Sequence, residues 1–137
     1  MFPNDTRILI VDDMNMMRSL IKSQLRQIGF LKFFEANDGH KALSILEQAH
    51  SAEKPIQLIF ADWDMPVMSG IDLLTIAKRN PLLKDIPFIL ITAEGEPARV
   101  KEAIALGVNS FIRKPFSGAV LLEKIESVWQ SVSKKAA

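Results

Sequence analysis

Short β-branched runs closed by polar residues alternate along the chain with stretches whose apolar residues recur every three or four positions. The first run, Arg7-Ile8-Leu9-Ile10-Val11, predicts a buried strand. After Asp12-Asp13, the residues Met16, Met17, Leu20, Ile21, Leu25 and Ile28 keep helical spacing, and Gly29 supplies a C-terminal cap. Residues 31–36 form a weaker strand candidate, closed by the turn-like Asn37-Asp38-Gly39. Ala42, Leu43, Ile45, Leu46 and Ala49 mark a second helix, which the polar stretch 50–55 ends. Residues 56–61 predict a third strand, and 62–70, with Pro66 and Gly70, a loop. Then come helix 71–79, strand 87–92, helix 97–106, strand 110–113 and helix 117–132.

The pattern is a strand and a helix, five times over. Strands that lack strict alternation are buried on both faces, which calls for a parallel sheet covered by helices. The expected fold class is therefore α/β, a five-stranded parallel sheet with helices on both faces. The length of 137 residues suits one domain over 1–137, its core about 7–129, with 1–6 and 133–137 loosely tethered.

Composition narrows the function. Seventeen Lys+Arg stand against sixteen Asp+Glu, a net charge of +1, so no basic excess points to nucleic acid. Zero cysteines exclude disulfides, thiolate metal sites and cysteine nucleophiles. The apolar run at 8–11 is too short for a signal peptide and meets two acids at once. No apolar run approaches the ~20 residues that span a bilayer. A cytoplasmic protein with neither nucleic-acid nor membrane partners is expected.

In open parallel sheets, ligands bind beyond the carboxyl ends of the strands. The residues expected there are Asp12 and Asp13 after strand one, Asp62 after strand three, Thr92 at the end of strand four, and Lys114 after strand five. Each has a plain alternative. Asp12 or Asp13 can cap the first helix, as can Asn15, at roughly 1 kcal/mol, and Asp62, Thr92 and Lys114 can be ordinary loop or strand-end residues. As a set they are different, because carboxylates gathered at one edge repel and need compensation. A hard divalent cation supplies it, and Mg²⁺ suits a site of few carboxylates shared with phosphate. Lys114 would face whatever anion joins the metal.

Asp12-Asp13, Ala61-Asp62-Trp63-Asp64-Met65-Pro66, Ile91-Thr92-Ala93-Glu94 and Lys114-Pro115-Phe116 resemble the receiver domain of bacterial response regulators over almost the whole chain. Within that family the likeness is to the single-domain chemotaxis regulators, through Asp62-Trp63, Thr92-Ala93-Glu94 and Glu35-Ala36 with Asp38-Gly39. The resemblance implies a flavodoxin-like strand order of 2-1-3-4-5. It implies that Asp62 accepts a phosphoryl group from a histidine kinase, with Thr92 and Lys114 on the phosphoryl oxygens. It implies that Mg²⁺ is held by Asp13 and Asp62, by Asp12 through a water, and by the backbone carbonyl of Asp64. Metal and lysine would offset the charge of the transferring group, with the acceptor carrying the covalent intermediate rather than acting as an enzyme on a separate substrate. The resemblance also implies a cis Lys114-Pro115 bond that points the lysine into the site.

The family's switch aromatic is Phe111 here, and the chain has no tyrosine. By resemblance Phe111 swings inward as Thr92 moves, but it lacks the hydroxyl an output contact would use. Read as a residue type, it is a core aromatic. Asp64 and Glu94 are expected to flank the path of attacking water and set the lifetime of the acyl phosphate. Met14, Met16 and Met17 suggest core filler rather than a soft-metal site, and Trp129 is either packing or a partner anchor. The expected output is a protein target on the face of helix four, strand five and helix five, the flagellar motor switch being one candidate. A phosphate sink or relay without its own target is the alternative. A monomer is expected, with dimerisation on phosphorylation as a variant. The ending Lys134-Lys135-Ala136-Ala137 suggests a free-standing regulator. A haloacid-dehalogenase-like phosphatase fits less well, since Pro66 stands where that family has Thr or Val. A flavodoxin-like electron carrier fits less well too, since Asp12-Asp13 would repel its phosphate.

Overall fold

The structure is a computed structural model that describes residues 1–93 and 97–136. Five strands, β1 (Arg7–Val11), β2 (Lys32–Ala36), β3 (Leu58–Asp62), β4 (Phe88–Thr92) and β5 (Ser110–Arg113), alternate with five helices. These are α1 (Asn15–Ile28), α2 (Gly39–Ser51), α3 (Gly70–Arg79), α4 (Pro97–Ala105) and α5 (Gly118–Ala136). All strand pairs are parallel, in the order β2-β1-β3-β4-β5.

The central strands explain the continuous apolar runs. Every residue of β3 and β4 is buried, and β1 is buried from Ile8 onward. Because successive side chains point to opposite faces, each run feeds two cores. Leu9, Val11, Ile59, Ala61, Phe88 and Leu90 pack with Ala42 and Leu46 of α2, Leu73, Leu74 and Ala77 of α3, and Ala103 of α4. Ile8, Ile10, Leu58, Phe60, Ile89 and Ile91 pack with Ile21 and Leu25 of α1 and Leu121, Ile125 and Val128 of α5. Each Val, Leu, Ile or Phe among them contributes roughly 1.5–3 kcal/mol on burial. The edge strand β2 alternates instead, with Lys32, Phe34 and Glu35 reaching solvent to different degrees.

Several expectations change at the helix ends. Met14, rather than Asp12, Asp13 or Asn15, stands at the N-cap of α1, so neither aspartate is spent on capping. Gly29, at φ 122, ends α1 and donates its N–H to Leu25 and Arg26 carbonyls, as expected. Asp38 is the N-cap of α2, accepting from the Lys41 N–H at 2.8 Å, so the turn-like triplet is in fact a helix start. The methionines at the start of α1 are not core filler as a group: Met16 is 81% exposed and the N-cap Met14 is exposed too, while Met17 packs on the core. The N-terminal segment is not loosely tethered. Phe2 is buried against Trp129, ring centroids 4.9 Å apart, and the Asn4 carbonyl accepts from the Leu31 N–H. Trp129 is thus a packing residue, and α5 continues past 132 to Ala136.

The loop from β3 to α3 is tightly turned. The Met68 N–H donates to the Pro66 carbonyl at 2.7 Å across Val67, whose φ is 69°. This is a positive-φ γ-turn on a β-branched residue, a strained arrangement. Gly70 follows, its N–H on the Trp63 carbonyl at 2.9 Å, and a Cβ there would lie 2.2 Å from the Asp62 carbonyl oxygen. Only glycine lets α3 begin so close under the end of β3. Gly70→Ala is expected to cost roughly 1–3 kcal/mol in urea unfolding, by overpacking against backbone that cannot yield. Val67 is 84% exposed and loses little packing on truncation, so Val67→Gly should add about 1 kcal/mol by removing the strain; a loss of stability would show that the turn is not strained.

Candidate functional site

Parallel strands bring their carboxyl ends to one edge, and the ladder continues just past them. The Asp12 N–H donates to the Ala36 carbonyl, Trp63 to Ile91, and Lys114 to Thr92, at 3.1, 2.8 and 2.8 Å. These bonds fix the backbone of the residues that follow the apolar runs. Asp12, Asp13 and Asp62 each place one carboxylate oxygen within 4.8 Å of the others. Lys114 Nζ reaches this group, 3.3 Å from Asp62 Oδ1 and 3.8 Å from Asp12 Oδ2. The Lys114-Pro115 bond is cis. The residues placed after strands one, three, four and five by sequence thus meet at one edge of the sheet.

Burial makes this cluster electrostatically unusual. Asp12 is 0% exposed and Asp62 5%, while Asp13 is exposed. Asp12 Oδ1 accepts from the Met14 N–H at 2.9 Å, but Oδ2 has no hydrogen-bond partner among the described residues. Burial pushes the Asp12 carboxyl up to about 6; the charges of Asp62 and Asp13 add to this, and the Met14 N–H and Lys114 oppose it. Burial also raises Asp62, against the pull of Lys114 and of the Asp64 N–H. One lysine beside three carboxylates leaves negative charge and a buried oxygen without a donor. An oxygen-preferring divalent cation suits that donor set, and the residues present fit it.

Two groups around the cluster were not legible in sequence. Arg18 of α1 donates from Nη1 to the Asp12 carbonyl at 2.5 Å, from Nε to Glu35 at 3.2 Å, and from Nη2 to Asn15 Oδ1. Lys22 adds a second contact to Glu35 at 3.1 Å, and its hydrogen bond holds the Glu35 carboxyl below its usual range. This buttress ties α1 and β2 to the turn that carries the acids. The second group is Arg99 of α4. Its Nη2 and Nη1 donate to Asp64 Oδ1 and Oδ2 at 3.0 and 3.2 Å, and Nη1 to Thr92 Oγ1 at 3.3 Å. Its guanidinium lies 4.8 Å from the centre of the Trp63 ring. The one available signal was a cation in the first turn of a helix, where the macrodipole disfavours it.

Thr92 is buried at the end of β4. Phe111 is half-buried on β5, packed against the core that includes Leu90 and Ala103, with Lys124 Nζ 5.6 Å from its ring centre. The core-aromatic reading accounts for that position. The Asp64 carboxylate is exposed and turned to Arg99. Glu94 lies outside the described residues. A groove of about 540 Å³ lies between α1 and α5, away from the acids, lined by Gln24, Ile28, Ala119 and Leu122 among others. The acid cluster itself is an open edge rather than that cavity.

The raised Asp12 has a pH signature. The folded protein holds this proton more tightly than the unfolded chain does, so the stability it contributes is full below the ordinary value of 3.8 and is lost as pH rises through about 6. In chelator-treated protein, Asp12→Asn should therefore gain on the parent chain by about 2 kcal/mol between roughly pH 4 and pH 7. Urea unfolding of both proteins across that range measures it, and a constant difference would contradict the assignment.

The comparisons with known proteins agree with this geometry. A family model described as response regulator receiver domain matches residues 8–126. The chemotaxis protein CheY of Pseudomonas aeruginosa is 42% identical over 127 residues, 93% of this chain and 98% of that protein. CheY-3 of Vibrio cholerae is 40% identical over 124 residues, covering 90% of this chain and 92% of its own length. Among solved structures, a CheY-like receiver domain protein from Methanospirillum hungatei superposes with a TM-score of 0.81 at 26% identity, covering 96% of this chain and 98% of its own. With its strand order, its acid-lined sheet edge and these matches, the chain belongs to the response regulator receiver domain family.

Proposed function

We propose that this response regulator takes a phosphoryl group onto Asp62 from a phosphohistidine of a kinase and passes the signal to a protein target. The observation that carries this reading is the cluster of Asp12, Asp13 and Asp62 with Lys114 Nζ 3.3 Å from Asp62 Oδ1. An Asp62 oxygen attacks phosphorus. The phosphorus–nitrogen bond to the donor imidazole breaks as the phosphorus–oxygen bond forms, and the imidazole leaves carrying the electron pair. Lys114 offsets the charge on the phosphoryl oxygens, and the Thr92 hydroxyl donates to one of them. Asp12, Asp13 and Asp62, with the backbone carbonyl of Asp64, would hold Mg²⁺, which when bound neutralises the transferring group. Reset follows when water attacks phosphorus, releasing phosphate and restoring the carboxylate; Asp64 stands beside that path.

The named relatives are chemotaxis proteins, and chemotaxis is the pathway this reading favours. The target surface is the face of α4, β5 and α5, next to Phe111, and the flagellar motor switch is the candidate partner there. No described helix is long and apolar enough to cross a membrane, and a cytoplasmic location fits a kinase donor on that side.

Incubation with Mg²⁺ and acetyl phosphate should add one phosphoryl group, seen by intact mass. Asp62→Asn or a chelator should abolish the gain. Label that persists in Asp62→Asn on another residue overturns the acceptor assignment.

A further inference from the structure

Arg99 joins groups that belong to separate elements. Asp64 follows β3, Thr92 ends β4, Trp63 adjoins the acceptor, and Arg99 stands in the first turn of α4. Both Asp64 oxygens accept from the guanidinium, at 3.0 and 3.2 Å, in a forked geometry. Forked pairs of this kind are strong and directional. The ring of Trp63 fixes the guanidinium from another side, 4.8 Å away. From that anchored position Nη1 donates to Thr92 Oγ1 at 3.3 Å.

A guanidinium has no acceptor, so Thr92 Oγ1 spends a lone pair on Arg99. A hydroxyl that accepts can still donate, so what the bond fixes is the position of Thr92. If Thr92 moves toward a phosphoryl oxygen on Asp62, the contact is given up or α4 follows. The positive charge of Arg99 is already engaged by Asp64, so the phosphoryl group must compete with a forked carboxylate to draw it in. On the phosphoacceptor reading above, we propose that Arg99 is a positioning residue of the phosphoryl site: a clamp from α4 that holds Thr92 and Asp64 in the unphosphorylated arrangement and so sets how readily the site is occupied. By linkage, whatever holds Thr92 back from the phosphoryl group weakens binding of that group by the same factor.

The test uses beryllofluoride, an acyl-phosphate mimic, with Mg²⁺ on the full chain, read by Trp63 emission over a Trp129 background. Arg99→Ala should bind it about fivefold more tightly or better. Arg99→Lys should fall between the two, since an ammonium can still pair with Asp64 but neither forks nor stacks. A residue with only a structural role would lower the unfolding midpoint and leave this affinity alone. Equal or weaker binding in Arg99→Ala overturns the proposal, the weaker case making Arg99 a phosphoryl ligand.

A second measurement is independent of the acceptor. In the unliganded protein, Arg99→Ala should speed amide exchange across α4 several-fold while β3 and β4 are unchanged. Unchanged exchange in α4 overturns the clamp. A parent chain that fails to bind beryllofluoride overturns the phosphoacceptor reading instead, and with it the linkage to Thr92.

Discussion

Mutual repulsion among carboxylates at one buried sheet edge is the constraint around which the molecule is arranged. Asp12 and Asp62 are almost withdrawn from water, and Asp13 completes a group within 4.8 Å. Burial alone would drive protons onto them, and both buried carboxyls are raised in that direction. What keeps them usable as anions is charge brought from elsewhere: Lys114 from the end of β5, and the cation that the donor set suits. A fold holds such a cluster only if the surrounding backbone leaves the acids no room to separate.

The sheet supplies that rigidity. Strands buried on both faces have little freedom to shift register, because a one-residue slip would exchange the side chains that fill two closely packed cores. The residues immediately after the strands inherit their position, through the ladder bonds of Asp12, Trp63 and Lys114. Gly70 lets α3 start directly beneath the acceptor strand, and Arg18 with Glu35 fixes the turn that carries the paired acids. The strained turn at Val67 sits in the same loop. Stability is given up locally where the backbone must bend around the site, and the two cores on either side of the sheet supply the excess.

The groups legible along the chain were those whose role depends on a neighbour in sequence. Asp12, Asp13, Asp62, Thr92 and Lys114 each follow or end an apolar run, so the strand pattern places them. The groups that were not legible depend on distance through space. Arg99 meets Asp64 from thirty-five positions away, and no periodicity links them. Phe2 packing on Trp129 is of the same kind, and so is the difference between exposed Met16 and half-buried Met17 on one helix. Helical spacing marks an apolar stripe, but the width of the stripe that is covered depends on where α5 lies beside α1.

Local chemistry along the chain therefore dictated the strands and helices, the parallel sheet and the acids at its carboxyl edge, because backbone periodicity and side-chain burial are read from adjacent residues. Which acid is buried and which is exposed, which cation answers which carboxylate, and that α4 reaches the site through Arg99 were decided by the packed fold. Coulombic and hydrogen-bonding partners are chosen by distances of a few ångströms, and those distances exist only once the sheet has brought remote segments together.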